Sequence, residues 1–574
     1  MNSRQVILVS IIAIILPIIP AIMGPMESMW ALTNLSFYLF LIGFASLLIV
    51  STISLIHFPW KKYGLFIALI FVYTIGLFKV FPPSFKIFSD EANVVNTSFS
   101  LVQERKAQIA LSKITYKGES VVLDHAVPGR PLTVAFLGSI FHRFLGYDFK
   151  NLFRLNVLLY FLSLCAIFFL CVSSFGPWKS LLASIGLGFS PVVIFSFGSA
   201  GIEAAFLAFF LLLLLPLKKI WQGDSSNTLT WALFSTLLFF FLNTRYEAVV
   251  IAIVLLIGLL TLKLKSNQQR SKALIATLPA FIFSAPIFWQ RVFYTQMAPD
   301  IHGEYYGNFK TELGGTFSLN YLWPNLKSMF SVLGELHFYN FFPVLFIWAG
   351  GACGIILLAL FLMKKDKTKG DKSFFTTVGL GVFSHLLFML LFISGEIHHM
   401  SQARLFMFCL ILPSIFWLAL LRQLGTKLQW AGLGLLAAIS FFHYPHIKSS
   451  DYPTRNIGVR SFYFMNNYQL ASSKKSFGNS LLVADPAEQY NLHPKTHVVS
   501  EKYAHHNWDK IQAWKKAKVL EDIYLLKKYE INKDKDESAV LEEMKKIEAN
   551  PKLQQVAQAL SLIHISEPTR LAWI

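Results

Sequence analysis

The sequence predicts a mainly α-helical protein that crosses a membrane many times, and three observations carry that prediction. Long apolar runs recur along most of the chain, so that 55% of it is hydrophobic. Only 14% of residues are charged, against about 25% in a soluble domain. The Lys and Arg residues gather in short clusters between alternate apolar runs, the pattern that encodes membrane topology.

A span needs about 20 apolar residues. Runs near 5–23, 36–57, 64–81, 151–174, 181–197, 203–217, 228–243, 247–262, 273–290, 339–363, 374–394, 404–421 and 429–442 meet or approach that length, giving about thirteen transmembrane helices. The N-terminal run lacks a small-residue cleavage site and is read as an uncleaved first helix. One set of connections carries Arg4, Lys61, Lys62, Lys179, Lys218, Lys219, Lys263, Lys265, Arg270, Lys272, Lys364, Lys365, Lys367, Lys369, Lys372, Arg422 and Lys427. The short connections of the other set, 24–35, 198–202, 244–246 and 395–403, hold only Arg245. The positive-inside rule places the first set in the cytoplasm and the second outside. The long connections 82–150 and 291–338, and everything after 443, then fall on the outer side.

This organisation gives a transmembrane domain over 1–442 and an outer soluble domain over 443–560. In the latter, SLLVAD, HVVS and LEDIYLLKKYEI read as strands of a small α/β unit. The last stretch, 561–574, fits neither pattern and is read as a non-native tail. Within 82–150, the segment from Asp90 to about Ser112 suits a helix lying along the membrane interface. YKGESVVLDHAVPGRPL reads as turn-rich, and TVAFLGSIFHRFL as a second short interfacial helix. The net charge of +19 follows from topology rather than from nucleic-acid binding. Cys165, Cys171, Cys353 and Cys409 all lie inside apolar runs and read as small hydrophobes, not as a disulfide framework.

The chemistry-bearing residues lie on the predicted outer face. Asp90 and Glu91 form a carboxylate pair at the mouth of a bundle poor in acids. Such a pair serves as a general base or holds a divalent cation such as Mg or Mn; equally, two acids after Ser89 suit a helix N-terminus. Arg130, in a stiff HAVPGRPL turn, can clamp a phosphate or anchor a headgroup. Arg245, Tyr246 and Glu247 open a span, where exposure to lipid costs about 3 kcal/mol or more per charge. Arg245 is therefore either an internal ion pair or a phosphate ligand, and Glu203 is similar. Glu396, His398, His399 and Arg404 form a further outer cluster, in which adjacent histidines make a poor zinc pair. Arg404 at the start of a span suits an anionic headgroup or substrate. Arg291, His302 and Glu304 are weaker candidates. No Walker loop, GxGxxG, HExxH or GxSxG motif occurs in its structural context, which excludes a nucleotide-driven pump.

FSDEANVVNTSFSLVQ and GRPLTVAFLGSIFHRFLGYDFKNLFRLN resemble, in order and sidedness, the first outer loop of the GT-C superfamily of glycosyltransferases. The similarity is to the branch of protein O-mannosyltransferases and lipid A aminoarabinose transferases. FSPVVIFSFGSAGIEAAFLAFF, NTRYEAVVIAIVLL and ARLFMFCLILPSI look like later spans of that family. The resemblance implies a membrane glycosyltransferase that moves a sugar from a polyprenyl-phosphate donor to a hydroxyl or amine of a glycan, lipid or protein, with inversion. It implies Asp90 as catalytic carboxylate supported by Glu91, and Arg130, Arg245 and Arg404 at the donor phosphate. Gly129-Arg130-Pro131-Leu132 departs from the family's double proline. A bacterial plasma membrane is the expected location, with the site facing the periplasm or exterior. The competing reading is a multi-pass transporter or a flippase for lipid-linked sugars. Transporters place ionisable groups near the midplane, whereas the acids here cluster at one surface.

Overall fold

The computed structural model describes residues 19–86, 88–116, 119–189, 191–224, 227–264, 266–301, 318–331, 369–392, 425–442, 481–484, 497–520 and 523–526. The expected spans 339–363 and 404–421, and most of 5–23, lie outside these residues. The chain is mainly helical, as the apolar runs predict. Among the described residues, five helices are long and apolar enough to cross a membrane, or six if one bent pair is a single span.

Helices α1 (Pro25–Ile56) and α2 (Trp60–Val80) are joined by a short turn and expose Leu41, Ile49, Phe71 and Val72. Apolar side chains facing outward along whole helices are what a lipid-facing surface requires. Further in, α5 (Lys150–Phe175), α8 (Glu203–Gln222) and α9 (Thr228–Leu242) pack together. Their core is built from phenylalanine: Phe206 stacks on Phe241 at 5.4 Å and Phe209 on Phe240 at 5.3 Å. Gly43 lets α1 lie against this core, because a Cβ there would stand 2.2 Å from the Phe239 ring.

Several predicted spans are broken. Residues 181–197 form two helices, α6 (Pro177–Gly188) and α7 (Pro191–Phe197), parted where Pro191 cannot continue the hydrogen-bond ladder. Residues 247–262 become α10 (Glu247–Gly258) and one π-helical turn, Leu259–Lys263. Residues 273–290 fall across α11 (Asn267–Phe283) and α12 (Ala285–Ile301), with a bend of 46° between them. Further on come α13 (Leu322–Ser331), α14 (Lys369–Leu390) and α15 (Thr426–Phe442).

The connection between α2 and α5 carries the main departure from expectation. The helix beginning near Asp90 is α3 (Phe88–Gln103), which stops well before Ser112. Arg105 takes the left-handed conformation (φ 58°) just after it. IALSKITY and ESVVLDHA then pair as a hairpin, β1 (Ile109–Tyr116) and β2 (Glu119–Ala126); β1 begins where the helix is expected to continue, and β2 lies in the stretch expected to be turn-rich. Ile109, Ile114, Thr115, Val121 and Val122 are β-branched and favour this strand conformation once a partner is present. Helix α4 (Thr133–Leu145) follows and packs on α3. Both helices are present where expected, and α3 is buried along most of its length by protein.

The three C-terminal strands expected from sequence are β3 (Leu481–Ala484), β4 (His497–Val499) and β5 (Ile523–Leu526). They join the hairpin in one five-stranded sheet ordered β2-β1-β4-β3-β5. Lys113 pairs with Val498, and Ser112 Oγ accepts from the Ser500 amide at 3.1 Å. Helices α16 (Glu501–His506) and α17 (Trp508–Lys516) follow β4.

A strut of polar side chains ties α3, α4 and α5 together. The Asn151 amide donates to the Gly146 carbonyl (2.7 Å) and to His142 Nδ1 (2.9 Å), while its oxygen accepts from Arg154 (2.6 Å). His142 Nδ1 is thus an acceptor, so Nε2 carries the proton and donates to Ser98 Oγ at 2.9 Å. The Ser98 hydroxyl in turn donates to the Val95 carbonyl at 2.6 Å. This tautomer excludes a Ser-His-Asn nucleophile, because the imidazole offers Ser98 no lone pair.

Burial pushes His142 down to about 3, from an unfolded value near 6.5. The unfolded chain therefore takes up a proton that the folded one refuses. The stability from the neutral ring is complete above pH ~6.5 and is lost as the pH falls toward ~3. Thermal melting of the detergent-solubilised protein should shift downward across that window. His142→Gln, which cannot titrate, should flatten this part of the curve, and an unchanged pH slope would show that His142 is not responsible.

Candidate active site

Asp90 and Glu91 both lie in the first turn of α3, where acids complement the helix dipole. Their surroundings differ sharply. Glu91 is only 1% exposed, and both of its carboxylate oxygens accept from backbone amides. Oε2 accepts from Lys86 at 2.6 Å and Oε1 from Ala200 at 2.8 Å. The Ser84 amide donates to the Gly198 carbonyl at 2.9 Å alongside. Glu91 thereby pins three segments: the start of α3, the segment 84–86 that enters it, and the connection 198–202. From α5, the Asn156 amide grips the last of these, donating to the carbonyls of Ser199 (2.7 Å) and Gly201 (3.0 Å).

Lys86 belongs to the same cluster. Its ammonium donates to Ser84 Oγ at 2.8 Å and lies 5.5 Å from the centre of the Phe195 ring. Burial lowers it to about 8, with the charge of Glu91 working in the opposite direction.

Asp90 is 19% exposed on its side chain and accepts from Arg130, which is 33% exposed. Of the ion pairs that involve Asp90, Arg130 or Arg245, this is the most open, although Arg154 and Asp148 nearby are more exposed still (51% and 33%). Arg130 stands on the turn after β2, and α12 holds that turn. Gln290 donates to the carbonyls of Pro128 and Arg130, the latter at 2.9 Å, and Tyr294 donates to the Val127 carbonyl at 2.6 Å.

Arg245 sits deeper, with 11% of its side chain exposed. It donates to both oxygens of Glu247 (2.7 and 3.2 Å) and to Glu203 (3.2 Å), and packs 5.8 Å from the Phe206 ring. Of the two readings open in the sequence, the geometry is that of an internal ion triad. It lies close enough to Arg130 for the two guanidinium groups to interact electrostatically. Arg291 lies 5.8 Å from the Tyr246 ring. Arg404, Glu396, His398, His399, His302 and Glu304 lie outside the described residues.

The connections expected on one face, 82–150, 198–202 and 244–246, therefore meet at one end of the bundle. At the other end, Lys179 donates to Gln429 at 2.5 Å and Trp221 to Ser373 at 2.7 Å, joining segments expected on the opposite face.

A divalent cation does not fit the described donors. Asp90 faces a guanidinium, and the oxygens of Glu91 are taken by amides. Among the described residues no group of three His, Cys, Asp or Glu could hold a metal ion.

Gln290, Asn156 and Lys86 are not among the candidates drawn from sequence. The one signal available for Gln290 is an amide inside the apolar run FWQRVF, where an uncompensated polar group is costly. Asn156 and Lys86 act through backbone groups brought in by the fold, which no local pattern announces.

No family model matches the chain, and neither does any curated protein. Among solved structures, it is similar to the oligosaccharyltransferase of Archaeoglobus fulgidus tethered with an acceptor peptide containing the NVT sequon. That likeness has a TM-score of 0.42 and 9% identity, covering 77% of this chain and 64% of the other. The chain thus spans less than two thirds of that enzyme's length. It is also similar to ArnT from Cupriavidus metallidurans bound to undecaprenyl phosphate (TM-score 0.39, 11% identity, 81% and 96% covered). A third likeness is to the same oligosaccharyltransferase in complex with Zn and sulfate (TM-score 0.40, 10% identity, 76% and 62% covered).

The two arginines should separate cleanly on removal. Arg245→Ala strands Glu203 and Glu247 in a buried site and should cost about 3–5 kcal/mol of stability. Arg130→Ala leaves a partly solvated Asp90 and should cost about 1 kcal/mol or less. Thermal unfolding of the two variants, measured side by side in detergent, checks this; equal losses would dissolve the distinction between triad and open pair.

Proposed function

We propose that the chain is a membrane glycosyltransferase that moves a sugar from a polyprenyl-phosphate donor to an acceptor hydroxyl or amine, on the non-cytoplasmic face and with inversion. The observation that carries this reading is the Asp90–Arg130 pair. A solvent-accessible carboxylate and guanidinium touch each other on a buried, hydrogen-bonded frame. It stands where a long connection meets the bundle, the level at which a lipid-linked phosphate can keep its charge out of hydrocarbon. The sequence motifs around both residues resemble those of GT-C enzymes.

The chemistry then divides between the two side chains. The donor phosphate takes Arg130, whose fork suits two phosphate oxygens, and so draws the guanidinium away from Asp90. The released carboxylate accepts the acceptor's proton as its oxygen or nitrogen attacks the anomeric carbon from the face opposite the phosphate. The new glycosidic bond forms while the carbon–oxygen bond to the phosphate breaks. The electron pair leaves with the polyprenyl phosphate, where Arg130 stabilises the added charge. The activated glycosyl phosphate supplies the free energy, which accounts for a sequence without nucleotide motifs.

Glu91, with both oxygens committed to amides, acts here as the fixture that aims Asp90. Arg245, saturated by two carboxylates, adds positive field behind Arg130 rather than a direct phosphate contact. Arg404 completes the set implied by the resemblance.

Transfer from a radiolabelled polyprenyl-phosphate sugar to membrane or envelope acceptors, with the full chain in lipid nanodiscs, tests the reading. Asp90→Asn should lower the rate by about 100-fold or more with normal expression and insertion. Arg130→Ala should raise the donor KM and lower kcat, and Arg130→Lys should recover part of each. Full activity of the Asp90→Asn protein would overturn the role of Asp90. Accumulation of donor inside vesicles without any transfer would replace the reading with a flippase.

A further inference from the structure

Two polar side chains of the described structure are engaged so completely that they act as brackets. One is Glu91. The other is Gln290 on α12, which is 1% exposed. Its amide nitrogen donates to the carbonyls of Pro128 and Arg130, and its oxygen accepts from the Tyr246 hydroxyl at 2.8 Å. Both N–H groups and one acceptor site are therefore used, which fixes the plane and the flip of the amide. The carbonyls on one side belong to the turn that carries Arg130. The hydroxyl on the other belongs to the residue directly after Arg245.

Three further contacts stiffen the bracket. Tyr294, one helical turn on from Gln290, donates to the Val127 carbonyl at 2.6 Å. Arg291 lies 5.8 Å from the Tyr246 ring. The 46° bend between α11 and α12 directs α12 toward the turn. A straight continuation of α11 would carry these side chains elsewhere.

We infer that Gln290 is a positioning residue that sets the Arg130 guanidinium relative to Arg245, and thereby shapes the site for the donor's phosphate. This rests on the glycosyltransferase reading for its substrate, although the phosphate-binding part stands apart from it. Without a donor to hold the carbonyls of Pro128 and Arg130, the turn would let Arg130 swing, and small misplacements of a charged clamp are expensive in rate. Gln290 touches no substrate itself.

The test uses the full chain in nanodiscs, with undecaprenyl phosphate as the binding probe and a polyprenyl-phosphate sugar as donor. Gln290→Leu, which keeps most of the volume but neither donor, should weaken undecaprenyl phosphate binding and raise the donor KM by about 10- to 100-fold. The acceptor KM at saturating donor should stay at its original value. Tyr246→Phe removes a single hydroxyl and should move the same two constants in the same direction, by less. Gln290→Asn keeps the amide on a shorter stem and should fall between the original protein and Gln290→Leu. Should Gln290→Leu fail to fold, the Tyr246→Phe and Gln290→Asn proteins still decide the matter.

A donor KM and a probe affinity like those of the original protein in these variants would overturn the inference. So would donor and acceptor constants that shift together, since that is the signature of a loosened fold. If the original protein transfers no sugar yet binds undecaprenyl phosphate in a Gln290-dependent way, the glycosyltransferase reading fails and the positioning role stands. If it transfers sugar and the Gln290 variants match it, the reverse holds.

Discussion

A carboxylate sealed from water must have its charge answered where it lies, and Glu91 is answered by two backbone amides from different parts of the chain. That requirement organises the end of the bundle around it. The amide of Ala200 can reach Glu91 only if the connection before α8 folds inward, and Asn156 holds it there. The amide of Lys86 can reach it only if the segment entering α3 crosses the same spot. Successive helical residues are rotated by about 100°. With Glu91 fixed inward, the side chain one position earlier is turned toward the partly open surface. The exposure of Asp90 is thus a consequence of the burial of Glu91.

The charges around this point form a gradient of satisfaction. Glu91 is neutralised by dipoles and by nearby Lys86. Arg245 is answered by two carboxylates and almost closed to solvent. Asp90 and Arg130 answer each other, yet both retain access. A ligand phosphate competes best where the displaced partner can be resolvated or reused, and here that is Arg130. Removing Arg245 from its triad would leave two carboxylates in a medium where unpaired charge costs several kcal/mol. The same residue types, Arg with Asp or Glu, therefore serve as structure in one place and as an open site about one layer nearer the surface.

Much of this was legible in the sequence, and the remainder was hidden for identifiable reasons. Apolar runs of sufficient length located α1, α2, α5, α8 and α14, because lipid imposes a length that local composition displays. Acids are rare near the spans, which drew attention to Asp90, Glu91, Glu203 and Glu247 before any fold was known. Arg130 stood out through its Gly/Pro turn. The division of labour between Asp90 and Glu91 was not visible, since it depends on amides 5 and 109 residues away. Nor was the hairpin, whose residues alternate too weakly to beat a helix reading at its start and a turn reading in its second strand until β4 covers one edge. Gln290 carried a faint signal as a lone amide among apolar neighbours, but the carbonyls it donates to lie 160 and 162 residues away and the hydroxyl it accepts from 44 away.

The hairpin explains how residues 40 apart in sequence come to touch. Joining Asp90 to Arg130 through a free connection would cost closure entropy for the whole loop, a cost that rises with the logarithm of its length. Pairing Ile109 with Ala126 removes the intervening strands from that loop, leaving only short arms on either side. An isolated two-stranded hairpin is itself marginal in water. Here β4, β3 and β5 extend it to a five-stranded sheet, with Ile114 buried against Leu481, Val483 and Val499. The C-terminal strands thus do more than form a separate unit beside the bundle. By completing the sheet they hold closed the one loop whose two ends carry the carboxylate and the guanidinium.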